Sequence, residues 1–124
     1  MSRVLVVDDD ADICELIEDV LKEVRLSTVC ATTDEAAYRI IPTLPTLQAL
    51  VVDVNLGTGT TGFDVARFAR QVIPELPVIY VTGEATRESF RVFGVPDSVL
   101  LEKPFDLDDL AQAVVSKVAT ASTR

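Results

Sequence analysis

Four aspartates carry the first chemical signal in this chain. Val4-Leu5-Val6-Val7 runs directly into Asp8-Asp9-Asp10, and Ala49-Leu50-Val51-Val52 runs directly into Asp53. Carboxylates gathered from two strand ends repel one another and need a compensating positive charge. A divalent cation held by a few carboxylates, waters and a phosphoryl oxygen meets that need, and Mg2+ suits such an open oxygen site better than a caged Ca2+. A carboxylate can also attack phosphorus and become an aspartyl phosphate. Within the triplet, Asp10 is read as the cap of the helix that follows, because Asp at that position satisfies free backbone N–H groups.

Two later strand ends add complementary groups. Thr82-Gly83 offers a hydroxyl that can donate to a phosphoryl oxygen and a glycine that lets a ligand approach the backbone. Lys103-Pro104 offers an ammonium that can neutralise phosphoryl charge, on a turn that a cis X-Pro bond would hold. Each dipeptide alone is an ordinary turn. Their common placement at strand ends is what gives them weight.

The elements that must position these residues alternate along the chain. Arg3–Val7, Ser27–Ala31, Leu47–Val52, Pro77–Val81 and Ser98–Leu101 read as strands. Ile13, Leu16, Ile17, Val20, Leu21 and Val24 recur at helical spacing, which predicts an amphipathic helix over about Ala11–Val24. Thr32 and Glu35 suggest a capping box for a second helix that ends before Pro42. A glycine-rich loop follows Asp53, and Phe63 to Ile73 form a third helix. Glu84–Phe93 is a weaker fourth helix, and Asp106 caps a last one through about Ala119. Alternating strands and helices predict an α/β fold with a parallel sheet covered on both faces. Ligands of such sheets bind outside the carboxyl ends of the strands, where Asp8, Asp9, Asp53, Thr82 and Lys103 all fall.

Composition sets the outer limits. The 124 residues suit one domain, residues 1–124, with no output domain. With 20 acidic against 11 basic residues the net charge is −9, and no Lys/Arg cluster offsets it, so direct nucleic-acid binding is not expected. No apolar run nears the roughly 20 residues of a membrane span, and no signal-peptide pattern opens the chain. Cys14 and Cys30 are read as buried small apolar side chains. Their isolated spacing favours neither a disulfide nor a metal site, and a reducing cytoplasm is the simplest setting.

Taken in order, VLVVDDD, VVDVN, VTG and LLEKPF make the chain resemble the receiver domain of two-component response regulators over essentially its whole length. The resemblance implies a flavodoxin-like, doubly wound five-stranded parallel sheet of order 2-1-3-4-5. It implies that Asp53 accepts a phosphoryl group from phosphohistidine on a sensor histidine kinase or histidine phosphotransfer protein. Asp8 and Asp9 would hold Mg2+ with Asp53 and the main-chain carbonyl of Asn55, while Thr82 and Lys103 engage the phosphoryl oxygens. Signalling would run through altered contacts with a downstream protein, without substrate turnover.

Departures from the family pattern concentrate on the signalling side. Leu100 stands where receivers usually carry Tyr or Phe, three residues before the Lys. Tyr80, two residues before Thr82 on the same strand face, is a candidate substitute, although a packed strand aromatic is the better reading. Asn55 and Glu84 occupy positions that in the family flank the path of attacking water. The loop after Asp53 is one residue longer than usual, and Gly94–Ser98 lengthens the turn before the last strand, so the fourth helix is expected to be short. Two rival readings remain at this level. A pseudo-receiver would keep the fold without phosphorylation, and a haloacid-dehalogenase-type phosphatase would use Asp8 and Asp10 but leave Asp53 without a role.

Overall fold

The apolar runs become five strands: β1 (Arg3–Val7), β2 (Ser27–Ala31), β3 (Leu47–Asp53), β4 (Val78–Thr82) and β5 (Val99–Glu102). Between and after them lie α1 (Ala11–Glu23), α2 (Asp34–Ile40), α3 (Gly62–Val72), α4 (Arg87–Phe93) and α5 (Leu107–Ser122), with a 3-10 turn at Ile41–Thr43. This computed structural model describes residues 3–57, 61–83 and 87–122, with the side chains of α5 described through residue 120. The expected strands are displaced by at most one residue.

All strand pairs are parallel and the order is β2-β1-β3-β4-β5, as the resemblance implies. The three central strands are almost wholly buried, whereas β2 and β5, at the edges, are only partly covered. Successive side chains of a strand point to opposite faces, and the core divides accordingly. Leu5, Val7, Leu50, Val52 and Tyr80 meet α2 and α3 on one face, and Val4, Val6, Val51 and Ile79 meet α1 and α5 on the other.

Helix ends obey local chemistry. The Asp10 carboxylate accepts the Asp12 N–H at 2.9 Å, making it the cap that the sequence predicts for α1. Asp106 likewise accepts the Asp108 N–H at 3.0 Å at the start of α5. The second helix departs from expectation: Thr33, not Thr32, is its cap, its hydroxyl accepting the Ala36 N–H at 3.0 Å. The helix starts at Asp34, so the hydroxyl in reach of the first free N–H groups is one residue later than the spacing to Glu35 suggests.

The cysteine reading holds for the burial of Cys14 and fails for Cys30 and for the pairing. Cys14 is buried in the first turns of α1, but Cys30 is exposed on edge strand β2, and their sulfurs are joined in a disulfide. A helix between parallel strands runs back against them. The start of α1 and the end of β2 therefore lie at the same edge of the sheet, although the two cysteines are 16 positions apart in sequence.

On the opposite side, Tyr80 is fully buried and α4 contributes no buried residue. The ring packs between Phe63, at 5.1 Å between centroids, and Phe90, at 5.7 Å. Its hydroxyl accepts the Val95 N–H at 3.1 Å, tying β4 to the turn between α4 and β5. Tyr80→Phe leaves that buried N–H without its acceptor and is expected to cost roughly 1–3 kcal/mol. A urea unfolding midpoint equal to that of the wild type would refute this.

Candidate functional site

Parallel register brings the acidic residues together. Val7 of β1 lies beside Val52 of β3, so Asp8 and Asp53, the next residue of each chain segment, come side by side at the carboxyl end of the sheet. This is also where the strand order reverses, the crevice in which open α/β sheets bind ligands. Asp8, Asp9 and Asp53 each bring a carboxylate oxygen within 4.8 Å of the others. Asp8 and Asp53 are buried, and Asp9 is exposed.

The other two strand ends complete the edge. Thr82 is the last residue of β4 and is 1% exposed. Its carbonyl accepts the Lys103 N–H at 2.6 Å, which fixes the start of the turn after β5 beside it. The Lys103-Pro104 peptide is cis, as the sequence suggests. From this turn the Lys103 ammonium reaches back across the sheet to 3.4 Å from Asp53 Oδ2 and 3.8 Å from Asp8 Oδ2.

Backbone donors orient the carboxylates. Asp8 Oδ1 accepts the Asp10 N–H and Asp53 Oδ1 accepts the Asn55 N–H, each at 2.9 Å. Asn55 in turn accepts the Gly57 N–H on its side-chain oxygen at 3.1 Å. Gly57 sits in the left-handed region at φ 79°, and a Cβ there would lie 3.3 Å from Asp9 Oδ2. Glycine at this point thus relieves the backbone and keeps space open beside the exposed carboxylate. With Asp9, Asp53, Asn55, Thr61, Thr82 and Lys103, Gly57 lines a cavity of about 560 Å3.

The charge balance is incomplete. Asp8 Oδ2 is buried and has no hydrogen-bond donor. Burial is the main force raising the Asp8 pKa, from an ordinary 3.8 to about 6. The Asp10 N–H works against it, the Asp53 charge adds to it, Lys103 lowers it and Asp9 raises it again. One ammonium therefore offsets three carboxylates only in part. An all-oxygen donor set with a buried, donor-free oxygen and an open approach fits a hard divalent cation.

Five of the residues singled out by sequence, Asp8, Asp9, Asp53, Thr82 and Lys103, converge here, and Asn55 stands at the rim. Tyr80 and Leu100 do not line the cavity. They pair in register on β4 and β5, and Leu100 packs partly buried on the α2–α3 face. Glu84 lies outside the described residues. Sequence reasoning missed Thr61, which caps α3 through a reciprocal box with Asp64 and also lines the cavity. The signal was present as a Thr followed three residues later by an acid. The box holds the Asp64 carboxyl below the usual carboxylate range, mainly through the Thr61 N–H and then through Arg67.

Comparison with known proteins places this geometry. The family model described as "Response regulator receiver domain" matches residues 4–115. The NtrX-like putative response regulator of Rickettsia bellii is 29% identical over 109 residues, 86% of this chain and 23% of that protein. The response regulator PilR of Pseudomonas aeruginosa is 28% identical over 116 residues, 93% of this chain and 26% of that protein. The chain thus spans about a quarter of the length of these two relatives. The crystal structure of a response regulator receiver protein from Sinorhizobium medicae superposes with a TM-score of 0.89 at 28% identity, covering 95% of this chain and 94% of that one. With β1 and β3 presenting the acidic cluster, β4 the threonine and β5 the lysine, and with the family model spanning nearly all of it, the chain belongs to the response regulator receiver domain family.

Proposed function

We propose that this receiver accepts a phosphoryl group on Asp53 and passes the signal on through altered protein contacts. The observation that carries the reading is the Lys103 ammonium, 3.4 Å from Asp53 and 3.8 Å from Asp8, facing a carboxylate cluster that it cannot neutralise alone. Asp8, Asp9 and Asp53, with the main-chain carbonyl of Asn55, would hold Mg2+. When bound, the ion offsets the carboxylate charge and that of the incoming phosphoryl oxygens.

The donor is phosphohistidine on a sensor histidine kinase or a histidine phosphotransfer protein. An Asp53 oxygen attacks phosphorus, the phosphorus–nitrogen bond breaks, and the imidazole remains on the donor. Lys103 and the Thr82 hydroxyl then engage the phosphoryl oxygens, so the protein's part is positioning and charge stabilisation. The new charge draws on groups at the ends of β4 and β5, which border α4 and the turn after it. Tyr80, Leu100 and Glu84 are the residues proposed to carry or tune that change, in the absence of a β5 aromatic. The setting is cytoplasmic, with no turnover of a separate substrate and no direct contact with nucleic acid. Among the described residues no helix is long and apolar enough to cross a membrane.

Incubation with Mg2+ and a small phosphodonor, followed by intact-mass measurement, tests the reading. A single phosphate is expected on the wild type and none on Asp53→Ala. Wild-type protein that gains no phosphate would defeat the proposal.

A further inference from the structure

The Cys14–Cys30 disulfide joins the two segments from which the acidic turn hangs. At one end of that turn the Asp8 N–H donates to the Ala31 carbonyl at 3.1 Å, and Ala31 directly follows Cys30. At the other end the Asp10 carbonyl accepts the N–H of Cys14 itself at 3.2 Å. Asp8, Asp9 and Asp10 are therefore strung between a strand end and a helix start that a covalent bond holds together. The carboxylates of Asp8, Asp9 and Asp53 converge despite their repulsion, and a tether that steadies the turn bearing Asp8 and Asp9 favours a cation beside Asp53.

The bond is asymmetric in its access. Cys14 is 3% exposed, whereas Cys30 belongs to the exposed part of an edge strand. With Cys30 the exposed partner, attack by an incoming thiolate is directed to its sulfur with Cys14 as the leaving group, an arrangement suited to reversible exchange rather than to a sealed structural bond. In a reducing compartment, disulfides are chiefly transient, catalytic or redox-sensing.

We propose that Cys14–Cys30 is a redox-modification site that couples a dithiol/disulfide partner couple to cation binding at Asp8, Asp9 and Asp53. A reductant thiolate attacks the Cys30 sulfur, the Cys14–Cys30 bond breaks, and Cys14 leaves as a thiolate that takes up a proton. The second reductant thiol then attacks the mixed disulfide and releases Cys30, so two electrons and two protons pass to the receiver and the reductant becomes a disulfide. The reverse exchange restores the bond. Reduction frees the start of α1 from β2 and weakens the hold on the cation. The inference rests on the reading of the aspartate cluster as a Mg2+ site.

Isothermal titration of Mg2+ into oxidised and dithiothreitol-reduced protein tests the coupling. The reduced form is expected to bind about fivefold or more weakly, within the usual span of coupling between two sites. Linkage is reciprocal, so saturating Mg2+ shifts the dithiothreitol equilibrium toward the protein disulfide by the same factor, read by alkylation and mass. Cys30→Ser, a change at an exposed position, is expected to bind Mg2+ as the reduced wild type does, with or without dithiol. Equal and measurable affinity in both wild-type redox states would overturn the coupling while leaving the metal site standing. A disulfide that excess dithiothreitol cannot open in the folded protein would also overturn it. Mg2+ binding to neither state would overturn both this inference and the cation-site reading.

Discussion

Asp8→Asn is expected to stabilise the metal-free protein by roughly 3 kcal/mol near neutral pH. The figure follows from the rise of the Asp8 pKa from 3.8 to about 6. Because the folded value exceeds the unfolded one, the native state binds the proton more tightly between these values. Stability from this group is full below 3.8 and is lost as pH rises through about 6. Near neutrality the native state therefore carries a buried carboxylate at a cost, and Asn removes the charge while its side-chain oxygen can still accept the Asp10 N–H. The advantage of Asp8→Asn over the wild type should shrink as pH falls through about 6, where the wild-type carboxyl is itself neutral. Urea unfolding of both proteins across pH, with chelator present, checks this. A gain that does not change with pH would show that charge burial is not its source. The same variant should lose most of its Mg2+ affinity, since the group that is costly when the site is empty is one of those proposed to hold the ion.

The second large effect is a loss. Gly62 opens α3 with its N–H bonded to the Val54 carbonyl at 2.9 Å. A Cβ on Gly62 would lie 2.2 Å from the Asp53 carbonyl oxygen, 2.9 Å from its carbon and 3.0 Å from Val54 Cα. All three neighbours are backbone, so no side chain can turn aside. Either α3 or the end of β3 must move, and Gly62→Ala is expected to cost about 3 kcal/mol, the upper range of ordinary overpacking. The displaced atoms belong to the proposed phosphoryl acceptor, so phosphate uptake should fall together with stability. An Ala variant with the wild-type unfolding midpoint would mean that the helix start yields without strain. Wild-type uptake in a destabilised variant would separate the packing of Gly62 from the position of Asp53.

Together the two substitutions describe one compromise. The edge of the sheet gathers like charges and brings a helix start against a strand end, and neither arrangement favours the empty, folded chain. Lys103 eases the first and glycine permits the second. Local stability is thereby given up where the proposed ligand would bind, the usual pattern at functional sites.

How much of this was legible in advance follows from the range of the forces involved. Strand and helix positions are signalled by neighbouring residues, through apolar runs, helical spacing and punctuation by Pro and Gly. The chain order of those elements then requires parallel strands, and parallel strands place every carboxyl end on one edge. That is why Asp8, Asp9, Asp53, Thr82 and Lys103 could be assigned to a single site from their positions alone. Asp10 and Asp106 were legible as caps for the same local reason.

What only the tertiary structure decided depends on approach through space. Nothing near Cys30 in the sequence says that an edge strand leaves it exposed, or that α1 carries Cys14 over it. Nothing near Gly62 announces the Asp53 carbonyl 2.2 Å from where a Cβ would be. The Tyr80 hydroxyl finds the Val95 N–H across 15 residues, and Leu100 fills its place beside that ring by register. Periodicity and strand ends, being local, determined the elements and the five residues that meet at the strand ends. Distances between segments set its charge balance, its covalent tether and its tolerance of a single methyl group, because those depend on atoms that the chain brings together only after it has folded.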